Sequence, residues 1–439
     1  MGGNENGELG IGDTGGRDVA IPTVIKSLQG KRIKSVAVGG MHCAILVEGE
    51  DGVMTWGVND LGALGRDTTW DGGAMVDVDG DGDTDMSNGE ETDLNPLESR
   101  PGKVDFGGTG VRSEDIKQVV AGDNGTWIVT WDGNVYGWGS MRSNDGVELF
   151  SEHVKIQKTP TLINFPDEKN GISKLAAGTN HVLALTESGS VYTWGIAYEQ
   201  GQLGRRLMAR NRNKISNAFT PRKLALKNIK DIFSGSHHSF ALDKDGAVWA
   251  WGLNNYGQTG VLASKNAGED SACVMVPDKI HCADWSKPGE EEEEEEGGRS
   301  GVVSIAAGNK HSLALTKDGK CFAWGQLNGC ALGFKLSDFD SGDPNVVRDY
   351  RGTPRILKKP TRIPNLPKLR YVATGGEHSV AIAEDGKVYT WGFNNSCQTG
   401  HSGGDDIETP KMIDRKAVVD KVFVWAGAGG MFTVLAEEA

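Results

Sequence analysis

One frame recurs along the chain at a spacing that leaves few choices of fold. A glycine is followed three residues on by a histidine, and thirteen residues after that by Trp-Gly: Gly178, His181 and Trp194; Gly235, His238 and Trp251; Gly308, His311 and Trp324; Gly375, His378 and Trp391. A copy at Gly39, His42 and Trp56 carries one extra residue in its turn, a copy at Gly122 and Trp138 has Gly125 where histidine is expected, and Gly429 opens a seventh. Within the frame, alternating apolar residues as in "HVLALT" mark a strand, "ESGS" or "KDGK" a hairpin turn, and "VYTWG" the next strand. A unit of short strands has apolar faces it cannot bury alone, so neighbouring units stack around an axis and leave only short edges exposed. The expected fold is all-β, a seven-bladed β-propeller with four-stranded blades. Sixty-three glycines, twelve tryptophans and few long amphipathic helices agree with it.

Aligning "MGGNENGELG" with "WGVNDLGALG" puts Met1 where Trp56 stands and Gly7 where Gly62 stands, so the chain begins inside a repeat. The closing blade is therefore expected to be shared between the two chain ends, with 427–435 as inner strands and the strand leading into its Trp-Gly missing. A shortened N-terminus that has lost any preceding tail is the matching expectation. Residues 1–439 read as one propeller domain with two acidic, disordered insertions, 67–99 and 286–300. Eleven acids between Asp67 and Glu98 and seven glutamates at 290–296 account for the net charge of −14, and the remainder is about +4.

The six cysteines form no CxxC pair, and no signal peptide or apolar run long enough to span a bilayer is present. A reduced compartment, no membrane partner and small buried packing cysteines are expected. No phosphate-cradling loop, metal cluster or nucleophile-base pair points to covalent chemistry or a cofactor. Asp77, Asp79, Asp81 and Gly82 match positions of a calcium loop, but Asn88 stands where a bidentate glutamate is needed and no helices flank it.

The stretches "GGMHCAIL", "NDLGALGRDT", "AGDNGTWIVTWDGNVYGWGSMRSNDGV" and "EQGQLGR" resemble, in order, blades of the regulator of chromosome condensation family, and specifically of its Ran-exchange branch. The resemblance runs over nearly the whole chain outside the acidic inserts. It implies a nuclear, chromatin-associated, monomeric exchange factor, which binds the small GTPase Ran and expels its nucleotide without covalent chemistry. A non-catalytic scaffold of the same fold is the alternative. A light sensor like the family's ultraviolet-receptor branch would need tryptophans clustered near the Gly-x-x-His turns, whereas most here belong to the Trp-Gly frame.

The two positions between each repeat glycine and histidine vary while the frame around them is fixed, so they are expected to converge on one rim. Asp123 is the only acid at its position among the copies, and the resemblance implies that it contacts Ran. Asn180 stands where the family usually has an aspartate implicated in exchange, and Lys310 where it usually has a histidine. His237 and Glu377 are further surface candidates. After Trp138 the segment "SMRSNDGVELF" replaces the usual loop ending, and in the family the corresponding segment is a wedge against the GTPase; Arg142, Asn144, Asp145 and Val147 are its candidate contacts. The cluster Arg205, Arg206, Arg210, Arg212 and Lys214 suits DNA phosphates or an acidic histone surface, which family members engage on nucleosomes. The repeat histidines are expected to make structural bonds between blades rather than to do acid-base work.

Overall fold

A computed structural model describes residues 1–438, apart from 13, 15–16, 50–51, 72–93, 144, 167–170, 197–199, 208–215, 263–267, 270–271, 283–284 and 286–300. Most of both acidic insertions, the calcium-loop reading at Asp77, and the candidates Asn144, Arg210, Arg212 and Lys214 lie outside the described residues.

Each repeat becomes a small antiparallel sheet. In the first, Ile33–Val38, His42–Val47, Gly52–Gly57 and Gly102–Lys103 follow one another in sequence and in space. The first strands of the seven blades are Ile33–Val38, Ile116–Ala121, Ile172–Ala177, Ile229–Ser234, Val302–Ala307, Leu369–Thr374 and Phe423–Ala428. Each packs against the next, and the last packs against the first, so the ring closes with these strands innermost. The second strands of blades 1 to 6 are buried along their whole length because both faces meet neighbouring blades. Their period-2 alternation therefore gives way to near-continuous apolar runs such as His42–Val47.

Blades are tied together by their framework tryptophans. Trp56 Nε1 donates to the Glu8 carbonyl at 2.9 Å, Trp138 to Ala63 at 2.8 Å, Trp251 to Gln202 at 2.9 Å, Trp324 to Gln258 at 2.9 Å and Trp391 to Ala331 at 2.8 Å. Each acceptor sits in the loop that follows the third strand of the preceding blade. Gly65 is required there, since a Cβ would stand 2.7 Å from Trp138 Nε1. Each tryptophan so buried removes about 200 Å² from water, roughly 5 kcal/mol before entropy is counted.

The closing blade draws on both chain ends. Phe423–Ala428 pairs with Thr433–Glu437, while Gly2 bridges Phe432 on one side and Val19 on the other. Gly2 pairs Phe432 as Gly57 pairs His42, which places Met1 in the tryptophan position. Thr433 N donates to the Met1 carbonyl at 2.9 Å. Beyond that contact Val434, Leu435 and Ala436 are only half-buried, where the equivalent positions in the other six blades are buried. Blade 5 departs in the other direction: Val346–Arg348 adds a fifth strand to its outer edge.

Candidate functional site

The turns after the innermost strands meet at one end of the ring. Their first glycines, Gly39, Gly122, Gly178, Gly235, Gly308, Gly375 and Gly429, stand so close that a Cβ on any one would collide with the carbonyl of the next, and Gly429 meets Gly39. The variable positions link in the same circle. Gly40 N donates to the Gly122 carbonyl at 3.3 Å, Asp123 to Thr179 at 3.3 Å, Thr179 to Ser236 at 3.0 Å, and Ser236 to Gly308 at 3.0 Å. Asn309 N donates to Gly376 at 3.2 Å, Gly376 to Gly429 at 3.1 Å, and Gly430 back to Gly40 at 3.1 Å. The residues singled out for their variability thus stand on a single rim.

Third strands return to this rim. Ser140 N donates to the Asn124 carbonyl at 2.8 Å, Ile196 N to Asn180 at 3.1 Å and Gln326 N to Lys310 at 2.9 Å, so the connections that follow leave from the rim face. In blade 2 that connection is a projecting hairpin, Met141–Arg142 paired with Glu148–Leu149. Met141 and Phe150 are buried and root it, while Gly146, with φ +82°, and the bond from Ser143 N to the Val147 carbonyl turn its tip. Val147 is 44 % exposed there, and Asp145 is also exposed.

Three candidates, Asp123, Asn180 and Arg142, are brought together with Asn124 where this hairpin meets the rim. Asn124 Nδ2 donates to Asp123 Oδ2 at 3.1 Å, and Asn180 Oδ1 accepts the Arg142 backbone N–H at 2.6 Å. Asn180 is only 8 % exposed, so its carboxamide serves the base of the hairpin rather than the open rim. Burial pushes the Asp123 carboxyl above its usual range, opposed by the Asn124 bond and by the Arg142 charge. A Cβ on Gly40 would meet the Asp123 carboxylate and oblige it to move. Arg142 is itself exposed, with Nε 3.9 Å from Glu148 Oε1.

A second group forms across the ring. Lys310 Nζ lies 3.9 Å from Glu377 Oε1 and 5.0 Å from the centre of the Tyr256 ring. Tyr256 was not foreseen: it belongs to the loop of blade 4, and nothing in its own spacing connects it with the turn of blade 5. His237 is half-buried, and burial lowers its pKa.

The basic stretch divides. Arg205 is turned inward, its Nη2 donating to the Asn217 carbonyl at 2.9 Å and the Ala218 carbonyl at 3.4 Å, and burial lowers its pKa to about 10, with Arg222 adding to the effect. Arg206 is exposed.

The repeat histidines bridge blades. His42 Nε2 lies 2.9 Å from the Thr126 hydroxyl, His181 2.8 Å from Ser239, His238 2.7 Å from Ser312, His311 3.1 Å from Ser379 and His378 2.8 Å from Thr433. Thr126 donates onward to Ala63, Ser312 to Gln258, Ser379 to Ala331 and Thr433 to Gln398, so in those pairs Nε2 is the donor. Among the described residues no three His, Cys, Asp or Glu side chains gather as a metal site, and no helix is long and apolar enough to cross a membrane. Cys43 and Cys321 are buried and the other four cysteines half-buried.

The family model described as the RCC1-like domain matches residues 1–435. The guanine nucleotide exchange factor SRM1 of Saccharomyces cerevisiae is 38 % identical over 92 % of this chain and 78 % of its own length. Protein pim1 of Schizosaccharomyces pombe is 36 % identical over 98 % of this chain and 72 % of its own. The crystal structure of Prp20p from Saccharomyces cerevisiae, reported with its binding properties to Gsp1p and histones, superposes with a TM-score of 0.83 at 34 % identity and covers all of this chain and 90 % of that one. With the ring closed at seven blades and the match spanning the whole of it, the chain belongs to the regulator of chromosome condensation (RCC1) family.

Proposed function

We propose that this chain is a guanine nucleotide exchange factor for the small GTPase Ran. The observation that carries the reading is the pairing of a rigid rim with a rooted hairpin at Asp123. Exchange needs no bond-making by the protein. It needs tighter binding to the nucleotide-free GTPase than to the loaded one, because equal affinity for both would shift nothing. A closed ring of backbone hydrogen bonds suits that task, since a surface that does not yield makes its partner adjust.

In this reading Arg142, Asn144, Asp145 and Val147 press the hairpin against the nucleotide site, and Asp123 offers a carboxylate beside it. Asn180 acts by fixing the hairpin's base. Lys310, Glu377 and His237 contact the GTPase from the far side of the rim. Resemblance to a named exchange factor and to a protein reported with histones supports the same reading, including a nuclear, chromatin-associated location. Arg206, with Arg210, Arg212 and Lys214, is the proposed contact to nucleosomal DNA or histones. Arg205 would serve chiefly to hold the loop.

Release of a fluorescent GDP from Ran at substoichiometric amounts of this chain tests the proposal. Acceleration by orders of magnitude is expected, with Asp123→Ala and Lys310→Ala each reducing kcat/KM by roughly tenfold or more, the scale of one lost polar contact. Release no faster than from Ran alone would show that the chain is not its exchange factor.

A further inference from the structure

Blade 5 carries a second projecting element that the rim residues do not explain. Its third strand, Cys321–Gln326, ends on the rim, where Gln326 N donates to the Lys310 carbonyl at 2.9 Å. Leu327 N then donates to the Arg355 carbonyl at 2.8 Å, which ties the tip end of the hairpin 346–356 to that edge. Val346 pairs with Leu357, Val347 with Ile356 and Arg348 with Pro354, and the tip spans 349–353.

The tip is locked by local bonds. Asp349 Oδ1 accepts the N–H groups of Arg351 and Thr353, both at 2.9 Å, and Gly352 takes φ +81°. The Arg348 guanidinium donates to the carbonyls of Gly352 at 2.9 Å, Phe339 at 3.0 Å and Asp340 at 2.6 Å. All this order holds up a tyrosine that is 88 % exposed, Tyr350, with the Arg351 guanidinium 5.1 Å from its ring centre. Among the described residues no carboxylate comes within ion-pair distance of the Arg351 guanidinium, although its charge is felt by Asp349 two residues back. A large aromatic ring held in water by a fixed turn gains nothing for folding. Tyrosine and arginine on a rigid support are the residue types that dominate binding energy at interfaces, because little conformational freedom remains to be lost.

The position suggests the occupant. The hairpin leaves from the same face as the wedge-like hairpin of blade 2, three blades away around the ring in one direction and four in the other, as far apart as two blades of seven can be. A globular partner seated on the rim between them would be met on both flanks. We propose that the 346–356 hairpin is a second arm of the exchange site, its Tyr350–Arg351 tip docking on an acidic, solvent-facing patch of the GTPase opposite the wedge. The inference rests on the exchange reading above. The arm belongs to docking, not to nucleotide expulsion, because it stands far from Asp123 and the blade 2 hairpin.

The test compares wild type, Tyr350→Ala/Arg351→Ala and Tyr350→Phe by steady-state release of fluorescent GDP across a range of Ran concentrations, with self-association followed by sedimentation. The double variant should raise KM about tenfold with kcat within twofold of wild type, and Tyr350→Phe should stay close to wild type. The exposed tip leaves folding untouched, and an unchanged melting temperature checks this. An unchanged KM, or a fall in kcat at unchanged KM, would overturn the docking arm while leaving the exchange reading in place. Loss of self-association without a change in KM would assign the tip to contacts between copies and overturn it equally. A wild type that releases no nucleotide would instead sink the exchange reading, and the arm with it.

Discussion

At the scale of single residues, the histidine of each repeat is a joint, and its partner explains its absences. The hydroxyl it meets is one residue past the histidine position of the next blade: Thr126, Ser239, Ser312, Ser379 and Thr433. Blade 2 has Gly125 in place of histidine, and the next blade has Val182 in place of the hydroxyl; blade 7 has Phe432, and blade 1 has Cys43. The Trp127 ring fills the space that Gly125 leaves empty. This covariation was present in the sequence as a recurring Ser or Thr after His, but its meaning required knowing that the contact crosses from one blade to the next. Burial holds all five histidines neutral: His42 and His311 are lowered to about 4, His181 and His378 to about 3, and His238 well below its usual value. The unfolded chain takes up protons near pH 6.5 that the folded chain refuses, so stability falls as pH drops below 6.5 and keeps falling until the folded-state values near 4 and 3 are reached. Each histidine contributes up to about 1.4 kcal/mol per pH unit in that window. The melting temperature measured from pH 7.5 to 4.5 should drop most steeply below 6.5. A flat profile down to pH 4.5 would mean that the buried imidazoles do not control stability.

At the scale of elements, the blade is a unit that repeats because its apolar second strand needs cover on both faces. In blade 7 the second strand, Thr433–Glu437, is met by Met1 and Gly2 from the other end of the described chain. That Met1 takes the tryptophan place of blade 7 was legible because Gly7 and Gly62 fall in phase. The two projecting hairpins were not equally legible. "SMRSNDGV" stood out as a break in a frame, whereas the 346–356 hairpin lies in a long connection with no repeat to depart from.

At the scale of the whole molecule, seven turns form one rim only because the glycines that open them allow carbonyls of adjacent blades to approach. The fold was legible since periodicity reports which residues face a neighbour. The candidate site was legible in part: variability within a fixed frame picked out Asp123, Lys310 and Glu377, which stand on the rim, though what they contact is a proposal. It could not show that Asn180 turns to the hairpin, that Arg205 turns inward, or that Tyr256 reaches Lys310, because those contacts depend on side-chain direction, between blades for Asn180 and Tyr256 and within one connection for Arg205. What the assembled rim should do is distinguish two states of one GTPase. Titrating this chain against nucleotide-free and GDP-loaded Ran, at one ionic strength, measures that directly. The account predicts affinity for the nucleotide-free form greater by roughly a hundredfold or more; equal dissociation constants for the two forms would contradict it.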